Sequence, residues 1–333
     1  MANPDPNKLK VKRDFSRPGV LFSVARMPQS TQLFLGSSDG NVYDLDIEAE
    51  KLELGEFKGH RGYVMEVVLA GNYVVSGAYD GQLIWWGAQS REQVRSIKAH
   101  KKWVRAMDVS PDGKIVASVS DDMVCRLWDG ESGKPIRELR GHQEKTPHHF
   151  PSMLFCCRFS SDGKYLATGD KVGHVVVWET ATGKQMTAIE TPTMYTWDPK
   201  QRIHSIGGVR SLAFSPDSRL LAIGGMGQVG NIDHLGAMAR WEIFDWRNGE
   251  QTHKYDGDTH KGLVEQMQFG PDGKWLLAAG GDHGGFIKFY ELDTSKIIKQ
   301  DKAPMHVHDF TMNEDQDTIY AAGHGKIVVW QLT

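Results

Sequence analysis

The residues of this 333-residue chain that could do chemistry come in matching sets. His60, Ser76 and Asp80 recur as His100, Ser118 and Asp122, and in each set a tryptophan, Trp86 or Trp128, stands six positions after the Asp. Ser, His and Asp are the residue types of a hydrolase triad, where imidazole takes the hydroxyl proton and the carboxylate orients the imidazole. The added Trp points elsewhere. An indole N–H only donates, a hydroxyl donates and accepts, neutral imidazole does both, and a carboxylate only accepts. Run in the order Trp, Ser, His, Asp, the chain of bonds satisfies every member inside a sheet that must leave no polar group unpaired. A nucleophile that occurs twice, each time with a Trp, is therefore read as scaffold.

The elements that position these sets repeat with them. Around the second set, the runs 101–109, 114–122, 123–129 and 134–140 are rich in β-branched and large apolar residues. Turns such as Ser110-Pro111-Asp112-Gly113 and Gly130-Glu131-Ser132-Gly133 separate them. Short runs bounded by Pro, Asp and Gly read as four strands joined by tight turns. His60 to His100 is 40 positions and His100 to His142 is 42. A unit of about 40–45 residues with Gly-His early and Trp-Asp late is a propeller-repeat signature.

On these residues the chain resembles the WD40-repeat family over nearly its whole length. The resemblance implies an all-β, seven-bladed WD40-type β-propeller in which each tetrad ties the loop before the inner strand to the third strand. Several repeats depart from the pattern. The first, from residue 21, has Leu35 in the Ser position and Leu45-Asp46 in the Trp-Asp slot; the second has Gly87 after Trp86. The fourth, from Gly141-His142, has Val172 where the tetrad Asp is expected, so His142 is expected to bond elsewhere. The fifth and sixth end in Phe244-Asp245 and Tyr290-Glu291, and the seventh stops after Trp330-Gln331, one strand short. Residues 8–15 alternate Leu9, Val11 and Phe15 against Lys8, Lys10 and Lys12, as a strand with one wet face does. In the family such an orphan strand completes the last blade. The whole of 1–333 is thus read as one propeller: a loose 1–7, a ring-closing 8–15, and seven repeats over 16–333.

Composition narrows the function. Net charge is −3 with a sequence pI near 6.5, which supplies no global field for DNA or an acidic membrane. Three cysteines, two of them the adjacent Cys156 and Cys157, form neither a disulfide framework nor a zinc pattern and fit a reducing compartment. No run of about 18 apolar residues and no signal-peptide core is present, so the expectation is a soluble, cytoplasmic protein. No Gly-rich phosphate loop follows a strand and opens a helix, which disfavours a nucleotide enzyme.

Function is expected where the chain spends residues beyond the repeat. Three inserts, 143–152, 191–208 and 225–238, fall in loops joining the fourth strand to the next first strand, or the second strand to the third. In a propeller those loops share one face, called the top. Long loops gathered on one side of a rigid scaffold are where binding resides. Tyr63 and Trp103 enter their inner strands on this face, Phe150 and Trp197 stand on the inserts, and Lys101, Lys102 and Arg105 supply positive charge. Aromatic anchors with a cationic rim fit an acidic or phosphorylated peptide of a protein partner, more than single-stranded RNA. The expectation is a non-enzymatic scaffold, monomeric on its own, without catalytic residues, cofactor or metal. The alternative is a small-ligand or metal-dependent enzyme using a His-rich pocket at the channel mouth, since His148, His149, His204, His234, His283, His306 and His324 also map to top loops. No HExxH motif or carboxylate at ligand spacing accompanies them.

Overall fold

The apolar runs become strands wherever the turns allow. Val64–Ala70, Tyr73–Ala78, Gln82–Gly87 and Gln93–Lys98 form one antiparallel sheet in chain order, and Val104–Val109, Ile115–Ser120, Cys125–Asp129 and Pro135–Leu139 form the next. Three further four-stranded sheets begin at Leu154–Phe159, Ser211–Phe214 and Leu263–Phe269. This is a computed structural model, and it describes residues 4–200, 203–230 and 236–333. Among them there is no α-helix, only two single 3-10 turns, Pro6–Lys8 and Pro192–Met194. Burial follows strand position. Ile115–Ser120 is buried beyond its first residue, whereas the outer Pro135–Leu139 buries only its last.

Adjacent sheets pack face to face through apolar side chains. Val75, Leu83 and Trp85 of one sheet meet Val104, Met107, Val116 and Trp128 of the next. Glycines permit the closest approaches. Gly81 sits at φ +75° in the turn between Tyr73–Ala78 and Gln82–Gly87, and a Cβ there would lie 2.6 Å from the carbonyl oxygen of His100. Only Gly combines that backbone conformation with that contact at no cost.

The ring closes through the N-terminus, and here the expected count is corrected. The strand Lys10–Arg26 runs 17 residues. Its first part pairs with Thr318–Gln331, from Lys10 opposite Gln331 to Ser16 opposite Lys326, and its last part pairs with Gln32–Ser37. The first and seventh repeats therefore merge into one six-stranded sheet that also holds Val307–Met312, Asn41–Asp46 and Gly55–Lys58. The described residues give six propeller sheets, five of four strands and one of six, not seven separate blades. The physical reason is that the strand continues through Pro18 and Gly19, where its pairing with the last strand is interrupted between Ser16 and Val20, and takes up its new partner from Leu21. Register shifts at Val11/Arg13 and Ser16/Val20 bend it, so that Leu21, Val24 and Leu35 of one wing pack on Tyr320, Ala322 and Ile327 of the other. The segment 191–208, read as a plain insert, holds a small hairpin of Tyr195–Asp198 and His204–Gly207. Upstream, the Asp5 amide bonds the Leu332 carbonyl at 3.3 Å and Pro6 is buried, so this part of the expected loose segment carries a docked turn.

Deleting residues 1–16 leaves Lys326–Gln331 with unpaired amides and carbonyls on an exposed edge. The truncated chain is expected to melt on the order of 5–10 °C lower, over a broader transition, with aggregation. Calorimetry with light scattering checks this; an unchanged, monomeric transition means that the ring closes without this strand.

Candidate functional site

In both complete tetrads the hydroxyl is committed to structure. Trp86 donates its Nε1–H to Ser76 Oγ at 2.8 Å, Ser76 donates to His60 Nε2 at 2.8 Å, and His60 Nδ1 reaches Asp80 at 3.1 Å. Trp128, Ser118, His100 and Asp122 repeat this at 2.8, 2.8 and 3.1 Å. The donor and acceptor roles follow from the indole, which can only donate, and the carboxylate, which can only accept. Ser76 and Ser118 are 0% exposed, so no substrate carbonyl can approach either oxygen. Burial opposes ionisation of Asp80. Hydrogen bonds from His60 and from the amides of Arg61 and Gln82 outweigh it and hold the carboxyl down to about 2. Burial is outweighed likewise at Asp122 by His100, the Lys101 amide and Arg126, which hold it well below the usual carboxylate range.

The fourth repeat does contain a tetrad, at a spacing that the sequence reading passed over. His142 reaches Thr168 Oγ1 at 2.8 Å and Asp170 at 2.9 Å, and Trp178 donates to Thr168 Oγ1 at 2.9 Å. Thr168 and Asp170 stand two apart on one strand and so share a face; that alternation was the available signal. In the sixth repeat His260 takes no such place. The fully buried Lys288 Nζ occupies that sheet instead, bonded to Tyr255 at 2.8 Å, Asp258 at 2.5 Å and Gln300 at 2.6 Å.

Trp103 and Tyr63 belong to a row of rings. Trp103 stacks on Tyr79 at 4.4 Å with 5° between planes, Tyr79 lies 5.6 Å from Tyr63, and Tyr63 stacks on Phe22 at 5.7 Å. Tyr63 and Trp103 stay 48% and 47% exposed. Tyr79 and Phe22 were not anticipated. Tyr79 immediately precedes the tetrad Asp80, and nothing local marks Phe22. Arg105 is held rather than free: it grips Asp121 with two bonds of 2.7 and 2.8 Å and donates to the Tyr79 hydroxyl at 2.7 Å. Lys101 and Lys102 are exposed, and with Lys98, Tyr79, Trp103 and Asp121 they border a groove of about 450 Å³.

Phe150 and Trp197 are brought to each other rather than into this row. Trp197 stacks on His148 at 4.2 Å and lies 5.4 Å from Phe150, while His148 Nδ1 reaches the Tyr195 hydroxyl at 3.0 Å. His149, His204 and His283 are exposed, and His234 lies outside the described residues. His306 and His324 do converge, together with His308, which the sequence reading had not placed on this face. All three cysteines are free and buried, and burial raises each thiol, Cys156 to about 12. No helix among the described residues is long and apolar enough to cross a membrane.

With this geometry in view, the repeats can be assigned. Residues 52–87, 91–129, 133–179, 198–228 and 249–291 match the family described as WD domain, G-beta repeat. These matches cover more than half of the chain, which belongs to the WD40 family. The chain is similar to apoptotic protease-activating factor 1 of Homo sapiens, 27% identical over 195 residues, or 57% of this chain and 14% of that protein. The Rattus norvegicus protein of the same name is 28% identical over 158 residues, 47% of this chain and 12% of that protein. Guanine nucleotide-binding protein subunit beta-1 of Caenorhabditis briggsae is 29% identical over 174 residues, 50% of this chain and 44% of that protein. The matched region spans less than half the length of each of these relatives.

Two outcomes test the tetrads. Trp86→Phe removes the indole N–H and leaves Ser76 Oγ short of a donor, at an expected cost of about 1–3 kcal/mol in chemical denaturation; no loss of stability overturns the structural role. The second concerns acid. Asp80 is lower in the folded chain than the roughly 3.9 of an unfolded Asp, so its contribution is complete above about pH 5 and is lost as pH falls towards 2. Asp80→Asn is expected to lower stability at pH 7 by about 1–2 kcal/mol and to flatten the loss between pH 5 and 2. An unaltered acid limb refutes this.

Proposed function

We propose that this WD40 propeller is a non-enzymatic interaction module. It holds an acidic or phosphorylated segment of a protein partner on the face of the Trp103–Tyr79–Tyr63–Phe22 row. The observation that carries the proposal is that two rings of a continuous row, Trp103 and Tyr63, are about half exposed. Aromatic side chains left open to solvent at one site are the usual centre of an interface. Arg105, fixed by Asp121, orients the row by lying 5.0 Å from the Tyr79 ring and 5.1 Å from that of Trp103. Lys101 and Lys102 supply the net charge that steers an anionic segment inward. Phe150 and Trp197, packed on each other with His148 on Trp197, are a second aromatic group to be tested for partner contact. The eight side chains of the two complete tetrads act as scaffold beneath it.

The same reading takes residues 1–333 as one unit working as a monomer, the outer strands offering only short edges of four to eight residues. A net charge of −3 argues against DNA and anionic membranes as partners. Three buried thiols with no disulfide support a cytoplasmic setting.

Binding to a panel of phosphoserine, Glu-rich and neutral peptides, read by fluorescence anisotropy, tests the proposal. The anionic classes are expected to bind and the neutral class not. Trp103→Ala is expected to weaken binding about thirty-fold, and Lys101→Ala with Lys102→Ala several-fold, increasingly so at low salt. Asp112→Ala and Asp272→Ala, in turns of the opposite face, are expected to change nothing. If folded Trp103→Ala keeps its peptides while the turn variants lose theirs, the face is wrong.

A further inference from the structure

The three histidines at the seam have a bonding problem that the peptide site does not explain. His306 and His308 flank Val307 at the start of the strand Val307–Met312, where the register shifts between Val307 and Asp309, and their rings stack on each other. His324 comes from the bend in Thr318–Gln331, where its amide donates to the His306 carbonyl at 3.1 Å. Gly323 makes the approach possible, because a Cβ there would strike that same carbonyl oxygen. The ring centroids lie 4.5, 4.8 and 5.1 Å apart, and one ligating nitrogen of each lies within 4.8 Å of the others.

Proton bookkeeping sharpens this. His306 Nδ1 is 2.9 Å from the backbone carbonyl of Asp282, an acceptor only, so Nδ1 carries the hydrogen. That leaves the neutral ring's lone pair on Nε2, which is buried without a hydrogen-bond partner and lies 3.4 Å from Glu265 Oε1. Two acceptors facing each other in a buried place require a cation. His308 Nε2 is also buried without a partner. A proton on His306 Nε2 reconciles only the first pair, and it sets a positive charge against two neighbouring imidazoles while His308 stays unsatisfied. One metal ion serves all of them.

We propose that His306, His308 and His324 bind a single divalent transition-metal ion of the zinc class, with Glu265, 3.4 Å from His306 Nε2, as the neighbouring carboxylate. Three imidazoles suit zinc, whose fourth position a carboxylate or water fills, and suit calcium or magnesium poorly, since these prefer oxygen alone. The His306 Nδ1–H bond to a carbonyl is the outer contact that fixes a ligating tautomer. Zinc–nitrogen distances of about 2.0–2.1 Å require the ligating nitrogens to close inward from their present spacing of up to 4.8 Å. The site adjoins the aromatic row, since Phe22 meets His308 edge-on at 5.1 Å.

The test uses the full chain without a histidine tag, stripped by chelator and titrated with Zn²⁺, Co²⁺ and Mg²⁺ in turn. Expected are one Zn²⁺ per chain with Kd on the order of 1 µM or tighter, a tetrahedral Co²⁺ absorption displaced by Zn²⁺, and no Mg²⁺ binding. His306→Ala and His324→Gln are each expected to weaken Zn²⁺ at least thirty-fold, and Glu265→Gln about ten-fold or more. His149→Ala and His283→Ala, at exposed rings, are expected to leave binding unchanged. If buried His306→Ala does not fold, exposed His324→Gln decides. Absence of a one-to-one site, or zinc binding indifferent to His324→Gln, overturns the proposal and leaves a proton on His306 as the cation.

Discussion

Everything else in the molecule depends on one pairing, that of Lys10–Arg26 with Thr318–Gln331. Sheets that pack in a ring support one another only if the last meets the first, and here the same strand serves both ends. The closure is reinforced at the channel, where the Val24 amide donates to Asp309 at 2.8 Å across 285 positions of sequence. Asp309 accepts from Gln266 at 2.7 Å, Gln266 accepts from Arg158 at 2.6 Å, and Asp108 accepts from the Phe159 amide at 2.6 Å. The inner strands are thus laced by side chains that would each be costly to bury alone. Burial pushes Asp108 and Asp309 up, and Glu66 further with help from Asp309, while Arg158 opposes all three.

A related rule governs the outer part of the sheets, where buried polar groups are mostly gathered into bonded sets, Trp241 Nε1 and Tyr290 Oη being exceptions without a partner. Two sheets use Ser, His, Asp and Trp, and a third substitutes Thr168 and moves its carboxylate to Asp170. The sixth repeat uses Lys288 with Asp258. In the fifth, Arg240 grips Glu242 at 2.6 Å, which in turn accepts from Gln251 at 2.7 Å. Chemistry that looks catalytic in a list of residue types is here several solutions to one packing problem, that of donors and acceptors inside a sheet.

Local features were legible in the sequence and distant ones were not. The turn beginning Ser110-Pro111-Asp112 is self-contained: Ser110 donates to Asp112 at 2.7 Å and Asp112 accepts from the Lys114 amide at 3.1 Å. Ser160 with Asp162, and Ser215 with Asp217, repeat it. Such a unit carries its reason for folding within five residues. The merging of the first and seventh repeats depends on partners at opposite ends of the chain, and spacing alone gave seven blades where the sheets are six. His142 was misassigned because a fixed repeat offset was imposed where strand alternation decided. The row from Trp103 to Phe22 joins residues from different repeats, so no single repeat contains it, whereas His306, His308 and His324 lie within one repeat and meet because the His324 amide folds back onto the His306 carbonyl.

The inserts show why exposed aromatics in a sequence are not equivalent. Trp197 has His148 stacked on it at 4.2 Å with 9° between planes, Phe150 at 5.4 Å, and a place in its own hairpin. Its rings are already partly covered by neighbours from the adjoining insert, and a partner gains less area by meeting them. Trp103 spends one face on Tyr79 and keeps about half of its surface in water. Free energy of association comes from surface still exposed before binding, and rigid rings lose little entropy when covered. Of the two tryptophans, Trp103 therefore has the greater capacity to anchor, while Trp197 holds two inserts to each other.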